Sequence, residues 1–299
     1  FNLGNLTIRA DNAFLPPPLA AILAADGQPT YGAGSLNADL PPLIADNTRS
    51  LQRYIVGAKG GFNAGGSDWS WNAYAQTSRV DVLNQAQSTV TARYRQAIDS
   101  VRRPNGTIAC RVNADAITTN DDPACVPYNI FGTGTASQPA IDYVSGTGFL
   151  RTRLVQDVAA ATFQGEPLSS WAGPVSIAAG LEHRREKVDG SNDALSQAGA
   201  YFAGNFRPTI GSYTVSEAFV ETVIPLAADQ AWAKNLDLNA AVRATDYSTS
   251  GYVTTWKAGL TYAPIEDLTF RVTRSRDIRA PSLSELFAAG VAGTSTLLD

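Results

Sequence analysis

Along much of the chain, hydrophobic and polar residues alternate one by one, the period of a β-strand with two unlike faces. In "LDLNAAVRATDY", Leu236, Leu238, Ala240, Val242 and Ala244 fall on one side and Asp237, Asn239, Ala241, Arg243 and Thr245 on the other. The split recurs in "VSEAFVETVI", where Ala218, Val220, Thr222 and Ile224 oppose Glu217, Phe219, Glu221 and Val223. In "TTWKAGLTY", Trp256, Ala258, Leu260 and Tyr262 oppose Lys257, Gly259 and Thr261. "RYIVGAKGGF" sets Tyr54, Val56, Ala58 and Phe62 against Arg53 and Lys59, and "VSIAAGLEHR" sets Val175, Ile177, Ala179 and Leu181 against Ser176, Glu182 and Arg184. In "DLTFRVTRSR", Leu268, Phe270 and Val272 oppose Thr269, Arg271, Thr273 and Ser275. "FLRTRLVQDVAAATFQG" is strand-like too, but adjacent Gln156 and Asp157 leave its faces unassigned. The pattern predicts about eight strands, several of about a dozen residues, against 5 or 6 in an ordinary sheet.

The links alternate as well. Residues 63–68, 166–170, 227–232 and 264–267 are short, whereas 14–46, 83–148 and 188–211 are long, with "STSG" at 248–251 the exception. Such alternation predicts an antiparallel sheet with tight turns at one end and elaborated loops at the other, the layout of an outer-membrane barrel. Trp69, Trp71, Trp171, Trp232 and Tyr262 gather at the short turns. They read either as an interfacial girdle or as strand-end aromatics of a soluble sheet. Two loop segments carry helical signals: a stripe of Val90, Tyr94, Ala97, Ile98 and Val101, and "RAPSLSELF", with Pro281 expected in a first helical turn.

Composition narrows the partners. Only 17% of the 299 residues are charged, against about 25% on average. The net charge of −4 makes nucleic acid an unsuitable partner. The longest apolar run, Leu15 to Ala25, is interrupted by prolines and too short for a spanning helix. The chain opens on Phe1 with no signal-peptide pattern, which reads as a processed or internal piece. Cys110 and Cys125 lie 15 positions apart in a polar stretch. In an oxidising compartment a bridge between them is expected, worth about 3 kcal/mol; two free thiols are the alternative.

Catalytic chemistry finds little to build on, and no enzyme activity or cofactor is expected. The single histidine, His183, has no nucleophile motif beside it, and neither "GTGTAS" nor "GAKGG" completes a phosphate-binding loop. One His and two Cys do not make a four-ligand zinc site. Asp115, Asp121 and Asp122 lack EF-hand spacing, so a solvated loop is favoured over weak calcium binding. What remains is the polar side of the strands: Arg53, Lys59, Glu182, Arg184, Glu217, Glu221, Asp237, Asn239, Arg243, Lys257 and Arg271. In a soluble sandwich this would be the solvated face; in a wide barrel it would line the lumen.

The chain resembles the TonB-dependent outer-membrane receptors over nearly its whole length. The resemblance is carried by "NTRSLQRYIVGAKGGF" with "WSWNAYAQ", the loop "IACRV…ACVPYNIFGTG", the strand pair "VQDVAAATFQG" and "WAGPVSIAAGLEHRRE", "YTVSEAFVETVIPL", and above all "DLTFRVTRSRDIRAPSLSELF". In that family such a strand leads outward into an extracellular loop beginning Arg-Ala-Pro. The resemblance implies an all-β, antiparallel transmembrane β-barrel segment, with residues 1–299 part of a single barrel domain and short helices in long extracellular loops. It also implies TonB-energised uptake of a scarce solute of the siderophore, cobalamin or oligosaccharide class. The expected partners are outer-membrane lipid, lipopolysaccharide near Arg274, Arg276 and Arg279, and the TonB complex through a plug. Neither a plug nor a terminal strand is legible, so the middle of a receptor is expected. A passive porin and a secreted β-sandwich binding module are the competing readings.

Overall fold

The computed structural model describes residues 6–290; the closing "TSTLLD" lies outside them. In chain order the elements begin with β1 (Leu6–Arg9), α1 (Pro17–Ala25), β2 (Thr30–Ala33), β3 (Ala45–Ala64), β4 (Ser67–Thr89), α2 (Thr91–Ile98), β5 (Ser100–Arg102) and β6 (Ile108–Cys110). They continue with α3 (Gln138–Val144), β7 (Ser145–Ser170), β8 (Gly173–Asn192), α4 (Ala194–Gln197), β9 (Ile210–Gln230), β10 (Ala233–Tyr247), β11 (Gly251–Ile265), β12 (Leu268–Arg276) and α5 (Leu283–Phe287).

Eight long strands form one antiparallel sheet in the order β12-β11-β10-β9-β8-β7-β4-β3, and the sheet does not close on itself. Strands follow one another in sequence, so the four two-residue hairpins fall at the same end, and the three-residue turn Ser248–Ser250 joins β10 to β11 at the other. The turns are tighter than the expected links: Gly65–Gly66, Trp171–Ala172, Ala231–Trp232 and Glu266–Asp267. Gly65 and Gly66 carry the first one at φ of 64° and 78°, where a side chain would be strained. The expected turn at 166–170 is instead the end of β7. Next to its Pro167, Glu166 N donates to the Oγ of Ser67, the first residue of β4, at 3.2 Å.

The chain divides into two compact units. The first comprises residues up to Thr48, Val82–Arg151 and Ser191–Pro208. The links read from sequence as loose loops are here a folded body. Leu6 and Ile8, alternating on β1, pack with Tyr94, Ala97 and Ile98 of α2 and with Tyr128, Tyr143 and Val144. The helical stripe is realised as α2, but the chain leaves the helix before Val101, which enters β5. Cys110 and Cys125 are bridged. Arg111 grips Asp11 (2.5 Å) and Asp99 (3.0 Å), tying the N-terminal segment to the disulfide loop. Asp39 accepts from the backbone N–H groups of Gly134, Thr135 and Ala136, which hold its carboxyl below the usual range. Asp122 accepts from Tyr143 Oη at 2.6 Å and Asp115 from Ile117 N at 2.8 Å, so both carboxylates serve the loop's own geometry.

The second unit holds Arg49–Asp81, Thr152–Gly190 and the chain from Thr209 onward. Through the middle of β9 to β12 the register is unbroken, and Leu238 faces Ile224 on one side and Leu260 on the other, with Leu260 facing Val272; β11 and β12 shift register only between Tyr262 and Ile265, next to their hairpin. A single irregularity on β9 lets Leu226 bulge between Ala227, opposite Leu236, and Pro225, opposite Asp237. Ser170 Oγ donates to Pro225 O (2.7 Å) and Trp171 Nε1 to Leu226 O (2.8 Å), so the carbonyls at the bulge are satisfied by the neighbouring hairpin.

Removing the bridge by Cys110→Ser with Cys125→Ser should lower the stability of the first unit by about 3 kcal/mol. Calorimetry of the two proteins in the same detergent would measure it. An unchanged unfolding temperature would show that the Arg111 contacts alone hold the loop.

Candidate functional site: the charged face of the sheet

Residues directly opposite one another across an antiparallel pair share a face, so the register can be read as rows. Glu221, Ala241, Lys257 and Ser275 form one row; Val223, Asn239, Gly259 and Thr273 the next; Pro225, Asp237, Thr261 and Arg271 a third. Glu217 faces both Glu182 and Thr245, while Arg243 faces Phe219. Arg184 faces Val215 on the same side. The remaining strands join through side chains. Arg53 Nε donates to Gln76 Oε1 (2.9 Å), Gln76 Nε2 to Gln156 (3.2 Å), and Gln156 Nε2 to Glu186 (3.1 Å). Lys59 shares Arg53's face by strand alternation. The sequence-selected polar residues of β3 and β8–β12 therefore lie on one face.

Gln76, Gln156 and Glu186 escaped the sequence reading, and the ambiguity at Gln156–Asp157 is the reason. Gln156 belongs to the charged face, whereas Asp157 points the other way and accepts from Thr77 Oγ1 at 2.8 Å. A polar doublet in a long strand was the one available signal.

Toward the long-connection end this face is self-satisfied. Arg184 Nη1 donates to Glu182 (2.9 Å), and its Nε lies 3.2 Å from Glu186 Oε1, held there by charge without the alignment of a hydrogen bond. The Arg243 guanidinium lies 3.5 Å from Glu217 and 5.3 Å from the centre of the Phe219 ring. That ring rests on Gly180, where an added Cβ would come within 2.5 Å of it. Nearer the hairpins the charges stand apart. Among the described residues Glu221, Lys257, Arg271 and Lys59 form no ion pair, and Ala241 separates Glu221 from Lys257.

The segment after β12 folds back over the same face. Ser282 caps α5 in a capping box with Glu285, so Pro281 precedes the cap and does not occupy the first turn. Leu283, Leu286 and Phe287 pack on Tyr213, Val215 and Tyr247. Phe287 lies directly over Gly211, where any Cβ would overlap its ring. Arg279 pairs with Glu285 at 2.7 Å and, with the cap, draws that carboxyl down to about 2.

The opposite face is apolar over its middle and bounded at both ends. Trp69 covers Gly165 and Trp71 covers Gly60, filling the space an absent side chain leaves. At the other end stand Arg79 and Arg153, both on Asp81 (2.6 and 2.9 Å). Arg274 faces Ala258 and Arg276 faces Trp256, so these arginines also lie on this face, at the end of β12 away from its hairpin. His183 is here as well, its Nδ1 2.9 Å from Ser216 Oγ.

The family model for TonB dependent receptor-like β-barrels matches residues 12–297. No curated protein and no solved structure matches the chain.

Two expectations follow. Arg184→Leu strands two half-buried carboxylates and should cost about 1–3 kcal/mol, whereas Arg53→Leu, whose partner is a neutral amide, should cost under about 1; chemical unfolding in detergent would rank them, and equal costs would contradict the network. Glu285, depressed from 4.5 to about 2, stabilises α5 fully above the ordinary carboxylate range. That contribution is lost as pH falls from there through about 2. A nitroxide at Ser284 should be immobile at pH 5 and loosen toward pH 2; constant mobility would argue that the Phe287 packing alone holds the segment.

Proposed function

Because the chain belongs to the TonB-dependent receptor β-barrel family, a family of outer-membrane transport receptors and not of enzymes, we propose that it takes up a scarce solute by TonB-energised transport. In this reading both compact units belong to one barrel domain in the outer membrane. The family match spans both of them.

The observation that carries the membrane placement is the bounded apolar face. From Trp69 to Arg79 is ten residues, about 33 Å along a strand and about 23 Å across a bilayer at a tilt near 45°. That is close to the roughly 25 Å apolar band of outer-membrane barrels. Trp69 and Trp71 then sit at the periplasmic interface and Arg79, Arg153, Arg274 and Arg276 at the outer one, where lipopolysaccharide supplies anions. Arg279, bound to Glu285, lies in the outer loop.

The charged face lines the lumen. Its paired half stiffens the wall, and the unpaired charges Glu221, Lys257 and Arg271 are left to meet a plug or a passing solute. The inward fold of α5 narrows the space in front of that wall. A passive porin has no use for an energy-coupling partner, and a cell lacking TonB would separate the two: uptake that persists there overturns the transport reading.

The membrane placement has its own test. Leu238 lies in the all-apolar row with Ile224, Leu260 and Val272, so Leu238→Arg should cost roughly 2–4 kcal/mol, and Asn239→Arg much less. A soluble sandwich would give the same ranking, so accessibility decides. Fluorophores at Leu238 and Ala240 should be quenched by a lipid-dissolved quencher, and one at Asn239 should not. Equal quenching at both positions, or none, would leave a soluble binding module as the better account.

A further inference from the structure

The first compact unit contains a pocket of about 450 Å³ between the segment after β2, the end of β4, α3 and the start of β7. Ser88 and Thr89, both buried, form its floor. Gln87, Gln138, Asp142 and Thr147 stand at its mouth, and Leu40, Leu43 and Ile141 supply an apolar wall.

The lining has a definite chemistry. Its two carboxylates, Asp39 and Asp142, are accompanied by no lysine, arginine or histidine. Asp39 is occupied by three backbone N–H groups, and Ser88 Oγ accepts from Ala203 N at 3.2 Å. Asp142 Oδ1 accepts from Gln138 Nε2 at 2.7 Å, which leaves its second oxygen for another donor. Among the described residues, the hydroxyls of Thr89, Ser145 and Thr147 have no hydrogen-bond partner. Open acceptors and hydroxyls around an apolar wall suit a ligand with alternating O–H and C–H edges. Uncompensated negative charge repels an anionic ferric chelate. The volume lies within the roughly 300–1,000 Å³ of small-molecule sites; it is enough for a disaccharide-sized body and far too small for a cobalamin.

We propose that this pocket binds a neutral, polyhydroxylated ligand, one or two sugar rings of an oligosaccharide, and so selects the solute class. The proposal rests on the transport reading for its purpose, but not for its chemistry. The second oxygen of Asp142 accepts from a ring hydroxyl, Thr89 and Thr147 bond the next ones, and the face of C–H groups lies on Leu40 and Ile141.

The test uses the intact receptor in detergent and titration calorimetry with maltose, cellobiose, xylobiose and chitobiose, with ferric citrate as the anionic probe. At least one disaccharide should bind, and ferric citrate should not compete with it. Asp142→Ala should weaken binding about tenfold, Asp142→Asn should restore most of it, and Thr147→Trp, at the exposed mouth, should abolish it. Failure of all four sugars to bind below roughly 10 mM, or an unchanged affinity in Thr147→Trp, overturns the proposal. Either result alongside lipid quenching at Leu238 leaves the transport reading intact. Sugar binding that Thr147→Trp abolishes upholds the pocket even if Leu238 proves inaccessible to lipid, and only the transport reading then falls.

Discussion

The sheet depends on its register, and the register is most exposed to error where β9 meets β10. A one-residue slip of β9 would turn its charged set to the apolar side, placing Glu221 opposite Ala240 or Val242. Long strands with alanine-rich stretches, such as "NAAVRA", offer weak steric reasons to prefer one register. The bulge at Leu226 provides a strong one, because Ser170 and Trp171 reach from the next hairpin to the two carbonyls it displaces. Tyr262 acts similarly, donating its hydroxyl to Trp232 O at 2.6 Å. The hairpins at the short-turn end are thereby laced one to another. The aromatics there serve two purposes, since the rings suited to an interface also fix which side of each strand faces it.

From a fixed register the asymmetry of the two faces follows. On the apolar side, neighbouring rows are filled by Leu, Ile, Val and Ala, and the glycines are covered by tryptophan rings. On the other side, opposite charges meet along β8 at Arg184 and across strands at Arg243. The pairs close to the long connections are complete, while those close to the hairpins are not. The row that holds Glu221 and Lys257 forms no ion pair among the described residues, and in the transport reading proposed above it is the part of the wall left to meet a solute. Its two charges are held apart by Ala241, too small to bring them together.

How far the sequence carries can be judged from particular elements. The strands of β8 to β12 were legible because a period of two persists for nine residues or more, and the row Leu236, Leu238, Ala240, Val242, Ala244 is the row the register assembles. The disulfide was legible from spacing and polarity. Where a strand lacks clean alternation, as at Gln156–Asp157, local pattern gives no answer and only a neighbour's side chain decides. The end of β7 was missed because Pro167 reads as a turn, whereas the strand runs on to Ser170. β1, β2, β5 and β6, three or four residues each, are too short for any periodicity to register; β1, with β2 beside it, is held where Leu6 and Ile8 find Tyr94 and Ile98, far away in sequence.

That last case explains why long connections need not be loose. A connection of more than fifty residues left unstructured would keep its conformational freedom, and ordering it costs about 1–2 kcal/mol per backbone residue. Here a small apolar core, a disulfide and the Arg111 contacts offset that cost together. None of them suffices alone, since a core of nine buried side chains is small and the ion pairs are partly exposed. The result is that the polar groups of this unit are held in place before any ligand arrives. Asp39 illustrates the point: it orders the backbone from Gly134 to Ala136, just ahead of α3, and α3 carries Asp142 and Gln138 to the pocket mouth. A site positioned in this way loses little freedom on binding, which is the main route by which a modest set of hydrogen bonds becomes a selective one.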